Sequence, residues 1–160
     1  MKIDTVAIHN PHAQNLIIGQ SHFIKTVEDI HEALVNSVPG ITFGLAFCEA
    51  SGTRLIRTSG TSSAMVSLAR ENATRIACGH AFIVFLENAY PINVLNAIKM
   101  IPEVVTLYCA TANPATVVIA RTKQGNAIVG VVDGGNPLGN EQPADVAERK
   151  ALLRTLGYKL

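Results

Sequence analysis

The sequence has no tryptophan, 5% aromatic residues and only 16% charged residues in 160 positions. With so few rings and cations there is little to stack bases or neutralise phosphate backbones, so nucleic acid is not expected as a partner. Thirteen basic against twelve acidic residues leave a net charge of +1, which argues against a polyanionic partner. No apolar run approaches the roughly 20 residues that cross a bilayer. The N-terminus Met-Lys-Ile-Asp carries no apolar leader, so a cytoplasmic location is expected. Cys48, Cys78 and Cys109 lie far apart, each in or beside an apolar segment, as reduced core thiols do and disulfide frames do not.

What is abundant is apolar side chain, 48% of the chain. That is too much for disorder and enough for one core, while 160 residues leave no room for two full domains. It also implies apolar surface, and hence an oligomer.

The pattern predicts strands at Ile3 to Ile8 and Asn15 to Gly19, then a helix from Thr26, with Asp29 completing a capping-box-like start and Val27, Ile30, Leu34 and Val38 at helical spacing. Ile41 to Cys48 and Ala81 to Leu86 are apolar on both faces and predict strands covered on two sides. A strand at Arg54 to Thr58, a helix capped from the Ser59 to Ser63 cluster and closed by Gly79, and a well-buried helix from Pro91 to Ile101 fit between and after them. Val104 to Ala110 predicts another strand; Val117 to Arg121 and Ala127 to Val132 predict a hairpin over Lys123 to Asn126; Pro143 to Leu156 predicts a terminal helix. The expected fold is α+β, or a mixed-sheet α/β variant: a single layered domain over residues 1–160 with a mostly buried sheet flanked by helices.

Three apolar strands run into polar clusters at Glu49-Ala-Ser51-Gly52, Thr111-Ala-Asn113-Pro114 and Asp133-Gly134. Loops at strand carboxyl ends converge polar groups on ligands in open α/β sheets, which predicts one crevice lined by Glu49, Asn113 and Asp133. The competing reading is that these residues mark where strands reach water, since Asn and Asp favour turns. His80 follows a glycine and precedes a buried strand; its imidazole serves either as base, metal ligand or nucleophile, or as a structural hydrogen-bonding group. The segment Gly19 to Thr26, with His22 and Lys25 before a helix, is either an anion site or a solvated entry loop. His9-Asn-Pro-His12 has metal-compatible spacing, but Pro11 favours a loop, and no metal ligand is assigned. No phosphate-binding Gly-rich loop, dinucleotide fingerprint, nucleophile elbow or Cys-x-x-Cys pair is present.

Ile17-Ile-Gly-Gln-Ser-His-Phe-Ile-Lys-Thr-Val-Glu-Asp29, Ala46-Phe-Cys-Glu-Ala-Ser-Gly52, Gly79-His80, Pro91-Ile-Asn-Val-Leu-Asn-Ala-Ile-Lys99, Cys109-Ala-Thr-Ala-Asn-Pro114 and Gly130-Val-Val-Asp-Gly134 closely resemble the adenosine-specific kinase family, in order and spacing from about Leu16 to Tyr158. The resemblance implies a trimer-based α+β oligomer that binds adenosine or AMP rather than ATP, with a histidine that carries phosphate. His22 and His80 both stand in the resembling motifs. His80 is preferred because Gly79 leaves its approach open and the strand behind it fixes its position. On this reading His80 and Asp133 are catalytic, while His22, Lys25, Glu49, Ser51, Arg54 and Asn113 bind substrate. A phosphoryl donor is required; a divalent cation is left open; no resident cofactor is implied. The alternative is a non-catalytic adenosine- or AMP-binding regulatory module with its crevice at a subunit interface, and the third is a structural scaffold.

Overall fold

A computed structural model describes all residues, Met1–Leu160. The two strands that are apolar on both faces, β3 (Phe43–Cys48) and β5 (Ala81–Leu86), are buried along their whole length. They pair at the centre of a five-stranded sheet with β4 (Ile56–Gly60), β2 (Asn15–Ser21) and β6 (Val104–Thr111), in the order β4-β3-β5-β2-β6. Every neighbour in it is antiparallel. A second sheet, β1-β7-β8, joins β1 (Lys2–Ala7) to the hairpin β7 (Ala115–Arg121) and β8 (Asn126–Asp133).

Strand alternation divides the apolar side chains between two cores. On one face Ala46, Ile83 and Ile18 are cross-strand neighbours. They pack under Met65, Ala69, Ala73 and Ile76 of α2 (Ser63–Ile76) and against Val117 and Ile119 of the second sheet. On the other face Leu45, Val84 and Ile17 meet Ile30 and Leu34 of α1 (Thr26–Ser37) and Val94 and Ile98 of α3 (Pro91–Lys99). Phe43, Phe47, Phe82 and Phe85 are all fully buried, each contributing about 1.5–3 kcal/mol through removal from water. At Gly44 the strand touches its helix: a Cβ there would lie 2.1 Å from the Met65 carbonyl carbon.

The α+β architecture is as expected, with local differences. Lys25 occupies the α1 N-cap position without a side-chain cap, because the Thr26 hydroxyl is used internally, bonding Ser21 Oγ at 2.8 Å and donating to the Phe23 carbonyl at 2.6 Å. Ala77, at φ +48°, closes α2 in the left-handed region ahead of Gly79. Helix α3 is buried only through Val94 and Ile98, leaving Ile92 60% exposed. Helix α4 (Pro143–Thr155) buries none of its residues within the chain.

Candidate active site

Because neighbouring strands of the large sheet run in opposite directions, each edge of it collects ends of both kinds. One edge carries the C-terminal ends of β2 and β3 and the N-terminal ends of β4, β5 and β6. This brings together Ser21-His22, Cys48-Glu49, Ile56-Arg57, His80 and Glu103. Six of the residues expected from sequence, His22, Lys25, Glu49, Ser51, Arg54 and His80, lie on or beside this edge.

The other two do not. Thr111, the last residue of β6, is opposite Leu16 at the far end of β2, whereas the Ser21 amide donates to the His80 carbonyl at 3.0 Å. Leu16 and Ser21 are about 17 Å apart at the usual rise of a strand. Asp133 accepts from Thr111 Oγ1 at 2.7 Å and from the Asn113 amide at 3.1 Å. The expectation of one crevice holding Glu49, Asn113 and Asp133 is therefore corrected: within a chain, Asn113 and Asp133 sit at the opposite end of the sheet from Glu49 and His80. Asp133 is not positioned to serve His80 there.

His80 is wedged between two strand ends. Its amide donates to the Cys48 carbonyl at 2.7 Å, and its carbonyl accepts from Ser21. These two bonds hold it at φ +62°, a conformation that costs a residue with a Cβ on the order of 1 kcal/mol. The half-buried ring stacks on Phe47, 5.8 Å between centroids and 19° between planes. Of the five histidines, His31 is the one whose ring hydrogen-bonds within the chain, to Ser59 Oγ at 2.7 Å; the His80 ring nitrogens are uncommitted. His22 is exposed, its amide donating to the Glu103 carbonyl at 3.0 Å and its ring stacked on Phe23.

Glu49 ties the β3–β4 loop together. Its carboxylate accepts from the Leu55 amide at 2.7 Å, the Thr53 hydroxyl at 3.0 Å and Arg57, whose Nε and guanidinium NH2 group lie 2.9 and 2.8 Å away. The Leu55 amide and then Arg57 hold its pKa below the usual carboxylate value. So charged and so fully bonded a group is a clamp and a poor proton acceptor. Ser51 and Arg54 lie in the loop it closes, the Arg54 amide donating to the Ser51 carbonyl at 3.3 Å with Arg54 at φ +51°.

Two concavities flank this edge. On the α2 side, a cleft of about 880 Å³ is walled by Glu49, Arg54, Gly79 and the β7–β8 turn, with Cys48 and Cys78 among its lining residues. The Asn126 amide fastens that turn to the Ala77 carbonyl at 3.0 Å. Burial pushes the Cys48, Cys78 and Cys109 thiols up to about 11, so they are inert neutral groups. On the α1 side, a groove of about 460 Å³ has Lys25 and Arg57 in its lining. Lys25 pairs with Asp29, which raises its pKa. Sequence reasoning named Arg54 and missed Arg57; only the register, in which Arg57 lies opposite Phe47, puts it on the face that carries the His80 ring. No group of three or more His, Cys, Asp or Glu side chains is gathered for a metal ion.

These features define an α+β domain whose polar strand-end edge lies between an open cleft and a smaller groove that Lys25 and Arg57 help to line. The profile of the family described as "Adenosine specific kinase" matches residues 6–159. The chain belongs to that family, which associates it with adenosine kinase function at family level. It is also similar, at 42% identity over 99% of this chain and 98% of the other and with a TM-score of 0.95, to the crystal structure of PH1918 protein from Pyrococcus horikoshii OT3. A comparison with curated proteins finds no match. No helix is long and apolar enough to cross a membrane.

Proposed function

We propose that the protein transfers a phosphoryl group to adenosine through a phosphohistidine at His80, with AMP as product and second ligand. The observation that carries this is the His80 ring: held by its backbone bonds and by Phe47, hydrogen-bonded to nothing in the chain, and on the sheet face that also carries Arg57. In the first step the imidazole nitrogen forms a bond to phosphorus as the donor's P–O bond breaks. In the second the ribose hydroxyl takes the phosphorus, the N–P bond breaks, and the hydroxyl proton is left to the imidazole nitrogen. Lys25 and Arg57 neutralise the transferring group. The nucleoside binds at the same strand-end edge, with Arg54 and Ser51 in the adjoining β3–β4 loop and Glu49 acting through that loop and the Arg57 it positions. The working protein is a homo-oligomer, trimer-based as the family resemblance implies; a 13-residue helix α4 with nothing buried supports association.

The test is incubation with adenosine and candidate phosphoryl donors (nucleoside triphosphates, pyrophosphate, acetyl phosphate), scoring AMP and acid-labile protein phosphate. His80→Ala should lose both and keep adenosine affinity by calorimetry. Full retention of the label in that variant overturns the assignment; adenosine binding without product from any donor favours the regulatory module.

A further inference from the structure

The three-stranded sheet turns its charges the wrong way for a surface that faces water. Strand alternation puts Val6, Val117 and Val131 inward, against the core under α2. The same parity takes in Lys2 and Asp4 of β1, Arg121 of β7 and Asp133 of β8, which are all the charged residues of the three strands. Arg121 and Asp4 answer one another at 2.9 Å on that side. The outward positions, among them Ile3, Thr5, Ala7, Thr116, Val118 and Val132, carry no charge. An antiparallel sheet with one wet face ordinarily alternates apolar inward and polar outward. Here Ile3 and Val132 are 54% and 55% exposed, as on a face that another surface covers.

Helix α4 lacks a cover too. None of its residues is buried, and it makes no more than grazing contact with any strand or other helix. Yet a helix of 13 residues is at the lower limit of what persists in water without a packed face. Leu152 and Leu156, one turn apart, are 56% and 55% exposed. Arg149, on the turn before them, is neutralised by Glu141 through bonds of 2.7 and 3.1 Å. The two surfaces match in size. The helix is a cylinder about 20 Å long and 10 Å wide, and three strands of six to eight residues make a face of about 20–26 by 10 Å. Nothing stands over Gly130, opposite Val118, so a leucine side chain has room there.

These features specify a second copy of the chain as the cover. Every copy presents both surfaces, neither asks for a partner of opposite charge, and a net charge of +1 sets up little repulsion between copies. Within one chain α4 lies clear of the sheet, at the end of the connection 134–142, which spans up to about 30 Å. We propose that α4 of one copy lays Leu152 and Leu156 on the outward face of β1, β7 and β8 of the next, joining chains head to tail. Helix and sheet are different surfaces, so the closed assembly is a ring. The proposal rests on the homo-oligomer of the proposed function and names its contact; it does not depend on phosphoryl transfer.

The test uses the full chain at micromolar concentration, with mass in solution read by analytical ultracentrifugation and composition by native mass spectrometry. Val132→Glu spoils the sheet face, and Leu152→Glu combined with Leu156→Glu spoils the helix. All three positions are more than half exposed in the chain, so both variants should keep the wild-type circular dichroism. Each should associate roughly thirtyfold or more weakly. Mixed in equal amounts, they should form a pair with one chain of each kind, because the intact helix of the first meets the intact sheet of the second. Contacts of sheet on sheet or helix on helix would not be restored by mixing. A helix variant that associates as the wild type does, or a mixture without the mixed pair, overturns the proposal and leaves the homo-oligomer to another surface. A monomeric wild type overturns both. Should Val132→Glu unfold, Ile3→Glu on the same face takes its place.

Discussion

The ring of His80 lies nearly parallel to that of Phe47, 5.8 Å away, while the His80 backbone is held in the left-handed region by bonds to Cys48 and Ser21. Stack and backbone together fix where the imidazole points. Glycine adopts φ +62° without a steric penalty, so His80→Gly should be more stable than His80→Ala by up to about 1 kcal/mol, since both lose the stack and only the alanine keeps the strain. Denaturant titration of the two variants separates them; a His80→Gly protein clearly less stable than His80→Ala would mean that the backbone is not strained there.

Glu49 supplies a pH-dependent contribution to stability. Its folded-state pKa is lowered, by the Leu55 amide first and Arg57 next. A lowered carboxylate pKa stabilises the fold above the unfolded value, about 4.3, and that contribution disappears as pH falls through the folded value. Glu49→Gln should therefore be less stable than the wild type at neutral pH, with the difference vanishing as pH falls through the lowered folded-state value. Urea midpoints at several pH values would show the two curves converging.

Gly44→Ala should destabilise the protein by about 3 kcal/mol or more, because the new methyl meets the Met65 and Val66 backbone, which cannot move without shifting α2. Gly125→Ala, at the open β7–β8 turn where a Cβ touches nothing within 4 Å, is the control expected to change little. The measurement is the denaturation midpoint at constant m-value.

Asn72 is fully buried on α2 and grips the strand-connecting segment through both the amide and carbonyl of His9, each at 2.8 Å. Asn72→Ala leaves those groups unpaired and should cost about 1–3 kcal/mol. It should also release residues 9–14, seen as faster proteolytic nicking there. Unchanged cleavage would show that Asn10, which bonds Gln14 twice, holds the segment unaided.

The three thiols, with pKa raised to about 11 by burial, should react with iodoacetamide at pH 8 roughly a hundredfold or more slower than a free thiol. Rapid modification should appear only on addition of denaturant. Fast alkylation of Cys48 or Cys78 in the native protein would show that the α2-side cleft opens to its floor.

Much of this protein is determined by residue order alone. Strands β3 and β5 are legible because Phe, Leu, Ile and Val on both faces admit no other burial; α1 is legible because Ile30 and Leu34 recur at the helical period; and the kinship with adenosine-specific kinases is carried by contiguous motifs. The edge residues Glu49 and His80 are also legible, since each adjoins a buried strand. What the order of residues does not contain is strand direction. The single crevice expected for Glu49, Asn113 and Asp133 assumes parallel strands with all carboxyl ends on one edge, and the antiparallel sheet sends Thr111 and Asp133 to the other. Arg57 gains its importance only through register: it lies on the face that carries the His80 ring because it pairs with Phe47. Burial and periodicity are local properties, set by each side chain's own chemistry. Which strand ends meet is decided by pairing between segments far apart in the chain, and it takes the folded sheet to fix that.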